Sequence, residues 1–121
     1  MIHRQAGRAK EAVAALEKAV QLNPERADLH NQLGIAYRSA GDFAKAKASY
    51  ERSIALDAKH ADATLNLGIL YDLYLWDGAR ALELYDRYLQ LSPGDEQVKR
   101  WAADLRNRMT PKTAAPRKEQ G

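Results

Sequence analysis

Leu33-Gly34-Ile35-Ala36-Tyr37 returns as Leu67-Gly68-Ile69-Leu70-Tyr71, the same Leu-Gly-x-x-Tyr spacing 34 residues further along the chain. A period of that length builds stacked helical hairpins, in which no unit buries its apolar face alone and neighbours complete the core. The period extends outward from these two stretches. From Ala27 the chain reads Ala27, His30, Leu33-Gly34, Tyr37, Gly41, Ala46, Tyr50 and Ala58. From Ala61 it reads Ala61, Thr64, Leu67-Gly68, Tyr71, Ala81, Tyr85 and Pro93. Gly7, Ala12, Leu16, Ala19 and Pro24 repeat the second half of the pattern once more, ahead of both.

These residues resemble the tetratricopeptide repeat (TPR), with its Trp-x-x-Leu-Gly-x-x-Tyr helix, Ala-x-x-x-Phe and terminal Pro. The resemblance covers residues 1–94. It departs from the pattern at His30 and Thr64, where the family has an aromatic, at Ser53 in place of a small Ala, and at Ala58 in place of Pro. Tyr71 and Ala81 are also ten residues apart, where Tyr37 and Ala46 are nine apart. The extra residue falls in Tyr74-Leu75-Trp76-Asp77-Gly78, and a Pro93-Gly94 loop one residue shorter is expected to restore the phase by Asp95. Trp76 is expected to tuck under the second helix, where Phe43 packs, with exposure at the hairpin tip as the alternative.

The physics of the pattern stands without the family. Gly inside a helix costs about 1 kcal/mol relative to Ala, so Gly34 and Gly68 imply close approach of a neighbouring helix. Ala46 and Ala81 offer small facing surfaces, and Tyr37, Tyr50, Tyr71 and Tyr85 fill the wider gaps. Asn23-Pro24 and Ser92-Pro93 stop helices, and Gly41-Asp42 turns the chain. Six helices are predicted, at 8–22, 26–40, 43–57, 60–75, 78–91 and 95–109. The fold class is all-α, a right-handed α-solenoid of antiparallel hairpins. Its units are a half repeat 1–26, repeats 27–60 and 61–94, a capping helix 95–109 and a disordered basic tail 110–121. By phase the chain begins within a repeat, which leaves the apolar face of helix 8–22 short of one partner and open to homo-oligomer formation.

Composition sets bounds. With 121 residues, 45% apolar and 29% charged, the chain is one domain with a modest core. The net charge is +3, of which the tail residues Lys112, Arg117, Lys118 and Glu119 supply +2, so the folded part is near neutral. That argues against nucleic acid as the partner. Cys is absent, which removes disulfides and thiolate chemistry and fits a reducing compartment, with the cytoplasm as the default. No apolar run is long enough to span a membrane.

No motif for chemistry is found. The Ser residues lie in no Gly-x-Ser-x-Gly context, the three His residues are far apart, and the seven Gly residues form no phosphate loop. His30, on an apolar stripe, reads as a core residue. A non-catalytic module that needs no cofactor or metal is expected. The family resemblance implies a concave groove lined by the first helix of each unit, holding a protein or peptide segment. Carried over, the groove residues are Asn31 and Arg38, then Leu65, Asn66, Ile69 and Asp72, then Lys99 and Arg100. Asn31 and Asn66 suit a peptide backbone, Leu65 and Ile69 an apolar side chain, and Arg38, Lys99 and Arg100 an acidic group. Of the family's carboxylate clamp only Asn66 and Arg100 match, since Asn31, Ile35 and Glu96 stand where other residues are required. Two other readings are single-stranded RNA binding through Lys99, Arg100, Arg106, Arg108 and the tail, and a self-associating scaffold built on helix 8–22.

Overall fold

The computed structural model describes residues 2–110 of the chain, with side chains from Gly7 onward. Six helices follow one another: α1 Ile2–Leu22, α2 Ala27–Ser39, α3 Phe43–Leu56, α4 Ala61–Leu73, α5 Gly78–Leu91 and α6 Glu96–Met109. Among the described residues there is no strand. Each helix packs on the next in sequence and α2 also touches α4, as an α-solenoid requires. The expected tail lies, apart from Thr110, outside the described residues.

Caps explain the helix starts. Asp42, Asp77 and Asp95 accept the backbone N–H three residues on, at 3.2 Å in each case, and His60 Nδ1 accepts that of Ala63 at 3.1 Å. These bonds satisfy donors that the first helical turn leaves open. The same logic corrects the expected start of α1. By phase, Arg8 stands where Asp42 caps α3, and Arg has no acceptor, so nothing stops the helix and it runs unbroken through Gly7.

The core is built of tyrosines seated on glycines. A Cβ at Gly34 would lie 2.6 Å from two ring carbons of Tyr50, and one at Gly68 would lie 3.0 Å from Tyr85. Tyr50, Ala46, Ala81 and Leu70 are all 0% exposed. The polar departures are satisfied locally: His30 Nε2 donates to the Pro24 carbonyl at 2.9 Å, Ser53 Oγ to that of Ala27 at 2.8 Å, and Thr64 Oγ1 to that of His60 at 3.0 Å. His30 is thus a core residue, as its position on the apolar stripe implies. Tyr50 Oη, by contrast, is buried with no partner among the described residues. Burying an unpaired hydroxyl is costly, so Tyr50→Phe should raise the unfolding free energy by about 1 kcal/mol, measured by urea titration.

Tyr37 donates to Glu17 across the α1–α2 contact, and burial together with that carboxylate pushes its pKa up to about 12 from an ordinary 10.0. A phenol whose folded pKa is raised contributes stability that is complete below the unfolded value and lost as pH rises through the folded one. The chain should therefore hold its stability up to about pH 10 and lose it towards pH 12, followed by phenolate absorbance alongside circular dichroism.

The insert in the third unit differs from expectation. In the second unit Asp42 N–H closes the turn on the Tyr37 carbonyl at 2.9 Å, and in the third Asp77 N–H closes it on Tyr71 at the same distance, across one more residue. α4 ends at Leu73, and Trp76 takes φ +57°, the left-handed conformation that Gly41 adopts at +85° in the shorter turn. That backbone carries the Trp76 ring outward, 85% exposed, so it does not pack beside Phe43. Tyr74 does so instead, with ring centroids 4.6 Å apart.

The phase is not restored afterwards. The caps Arg26 and His60 lie 34 residues apart, but His60 and Asp95 lie 35 apart, because the loop after α5 is as long as the loop after α3. The buried stripe Val98, Ala102 and Leu105 of α6 accordingly matches Ala63, Leu67 and Leu70, 35 residues earlier.

Candidate functional site

The groove positions come from α2, α4 and α6, the first helix of each unit. In α2 and α4 the structure joins two of the expected residues directly: Asn66 Nδ2 donates to Asn31 Oδ1 at 3.0 Å. This bond ties neighbouring units together and fixes both amides. Asn31, itself only 7% exposed, keeps both N–H donors of Nδ2 and Asn66 keeps Oδ1 as an acceptor, with no partner among the described residues. Leu65 and Ile69, on the same helix as Asn66, are half-buried and pack on the edge of the core. Arg38 is half-buried and has no ion pair among the described residues.

Asp72 is engaged inside the fold. It accepts the Tyr85 hydroxyl at 2.9 Å, and its side chain is only 10% exposed, with the Arg108 guanidinium 3.8 Å away. Burial first, then that hydrogen bond, raises the Tyr85 pKa well above the ordinary phenol range. Tyr88 in the next turn is raised by its bond to Asp95, and that bond lowers the Asp95 pKa in turn.

On α6 the one-residue slip redistributes the expected residues. With a step of 35, Arg100 matches Leu65 and stays in the groove register, while Lys99 matches Thr64 and falls beside it. Lys99 pairs with Glu96 on its own helix at 3.2 Å, and Arg106 reaches Asp86 on α5 at 3.1 Å. In their place Trp101 matches Asn66 and Asp104 matches Ile69. Trp101 is 36% exposed, and its ring centroid lies 6.2 Å from that of Tyr85. Together with Ile69, Asp72 and Leu73 of α4 and Arg108 of α6, these residues line a crevice of about 290 Å³. Reading the sequence with the phase restored misses Trp101, Asp104 and Arg108. The signal that locates them is the cap pair His60 and Asp95, 35 residues apart.

A larger recess of about 700 Å³ opens at the other end, between Ala9, Ala12 and Leu16 of α1 and Ile35 and Ala36 of α2. By phase these match Phe43, Ala46, Tyr50, Ile69 and Leu70, which lie in or pack against the core one unit later, where α2 packs on α3 and α4. Among the described residues no cluster of His, Cys, Asp or Glu has the makings of a metal site, and no helix is long and apolar enough to cross a membrane.

The family model described as a TPR repeat matches residues 2–39, and a second, described as a tetratricopeptide repeat, matches residues 31–96. The chain belongs to the tetratricopeptide repeat family. No curated protein sequence matches this TPR chain. Among solved structures, a thermophilic TPR protein of Thermus thermophilus is 30% identical with a TM-score of 0.76, over 85% of this chain and 52% of that one. MamA is 27% identical with a TM-score of 0.75, over 80% and 52%. YrrB, described as a TPR protein with an unusual peptide-binding site, is 26% identical with a TM-score of 0.71, over 78% and 48%. The TPR chain spans about half the length of each of these structures.

Proposed function

We propose that this TPR chain is a non-catalytic interaction module that holds a segment of another protein along the face formed by α2, α4 and α6. The carrying observation is the Asn31–Asn66 pair, which leaves a fixed donor and a fixed acceptor beside half-buried Leu65 and Ile69. An extended backbone needs a donor and an acceptor, and a side chain needs an apolar anchor point. The peptide-binding site that YrrB's description names supports the same use of the fold. Arg38 and Arg100 are available to acidic groups of the partner, Arg by a two-pronged hydrogen bond.

Leu65→Ala should weaken binding of the partner by about 1–3 kcal/mol if Leu65 is an anchor. Affinity capture from the source cell, repeated with an Asn31→Ala/Leu65→Ala double variant, identifies the partner. A partner held equally well by both proteins would remove the groove from consideration. The recess beside α1 supports a second reading, self-association through that helix, because the matching positions one unit later are covered by a packed helix. A clean monomer by light scattering at high concentration would sink it. Single-stranded RNA is less well supported, since Asp104 lines the crevice on this face with no basic partner among the described residues, where a phosphate chain would lie.

A further inference from the structure

We infer that the crevice between α4, α5 and α6 receives a basic side chain, lysine or arginine, from the bound segment. The inference rests on the concave face being the binding face, and it adds which residue type the far end of that face selects. At about 290 Å³ the space suits one long side chain rather than a folded element. Ile69, Leu73 and the Trp101 ring give the apolar walls along which the methylenes of such a side chain lie. Two carboxylates wait for its head. Asp72 Oδ2 is taken by the Tyr85 hydroxyl, but Oδ1 has only the Arg108 guanidinium at 3.8 Å, beyond hydrogen-bonding distance. Asp104 lines the same crevice and has no cation within 4.0 Å among the described residues.

Arg108 displays the chemistry in miniature. Its guanidinium points to Asp72 from the last turn of α6, while its side chain remains 60% exposed and makes no hydrogen bond to that carboxylate. A side chain held so loosely can swing out and let a partner's cation take the site. With Arg108 withdrawn, two carboxylates and the 36% exposed Trp101 indole line the space for the newcomer, and an indole ring attracts a cation. An acidic side chain would meet Asp72 and Asp104 instead, and would be repelled.

The test uses the whole chain labelled with ¹⁵N and follows the Trp101 indole resonance during titration with N-acetylarginine amide, N-acetyllysine amide and N-acetylglutamate amide. The two basic probes should give a saturable shift with Kd on the order of 1 mM, the affinity of a small ligand of ordinary efficiency. The acidic probe should give none. Arg108→Ala should tighten the basic probes several-fold by freeing Asp72, Asp104→Asn should weaken them several-fold, and Arg52→Ala, on the exposed surface of α3, should leave them unchanged. Arg108 and Asp104 are both exposed, so neither variant threatens the fold. A saturable shift with the glutamate probe, weaker basic binding in Arg108→Ala, or no saturation with any probe would overturn the inference. None of those results bears on Leu65. Conversely, an unaffected Leu65→Ala with basic probes still binding would overturn the groove reading and leave the crevice standing.

Discussion

Tyr85→Ala should lower the unfolding free energy by about 3–5 kcal/mol, as expected for removing a buried aromatic ring. Tyr85 is 1% exposed and fills the space above Gly68, where a Cβ would come within 3.0 Å of its ring. Its hydroxyl satisfies Asp72 at 2.9 Å, and its ring faces Trp101 across 6.2 Å. Truncation therefore opens a cavity between α4, α5 and α6 and strips a nine-tenths buried carboxylate of its donor. Since domains have about 5–15 kcal/mol in total, the loss is a large share, and the melting temperature should fall by on the order of 10–20 °C. Tyr85→Phe keeps the ring and should cost only about 1 kcal/mol. Thermal and urea unfolding followed at 222 nm separate the two, and equal losses would show that the hydroxyl, not the ring, carries the site.

Gly34→Ala is the second large effect, and its sign is contrary to helix propensity. In an open helix the change would stabilise by about 1 kcal/mol. Here the new Cβ would lie 2.6 Å from Cδ1 and Cε1 of Tyr50, a ring with no exposed surface and nowhere to move. Overpacking of this kind costs about 1–3 kcal/mol, so the net result should be a loss of up to about 2 kcal/mol. Gly68→Ala meets Tyr85 at 3.0 Å and should be closer to neutral. Adding Tyr50→Leu to Gly34→Ala should recover part of the loss, because leucine leaves room for the methyl group. A more stable Gly34→Ala protein would disprove the proposed close approach.

Sequence is a sure guide where a residue type has one physical use. Gly34 and Gly68 inside helices require a close neighbour, and Tyr50 and Tyr85 are that neighbour. Asp42 and Asp77 announce helix starts because few side chains can cap a helix. The guide fails where a local choice decides a global register. Whether the extra residue near Trp76 is cancelled before α6 depends on the length of the Ser92–Asp95 loop, and Pro93-Gly94 looks shorter than Ala58-Lys59 only if the repeat is assumed to be regular. The consequence reaches the groove, since one residue of slip in α6 exchanges Lys99 for Trp101. Trp76 escapes the sequence pattern for a related reason. A large aromatic is usually buried, but a turn needing positive φ places its side chain by backbone geometry, not by hydrophobicity.

On the proposed reading partners are held on the α2–α4–α6 face and not at the exposed hairpin tips, where Tyr74 and Trp76 offer another apolar surface. The most direct measurement is calorimetric affinity for the captured partner in three proteins: the unaltered chain, Leu65→Ala and Trp76→Ala. Leu65→Ala should weaken binding by about 5- to 150-fold while Trp76→Ala leaves it unchanged. Full affinity in Leu65→Ala together with lost affinity in Trp76→Ala would contradict the claim and move the binding surface to the turns.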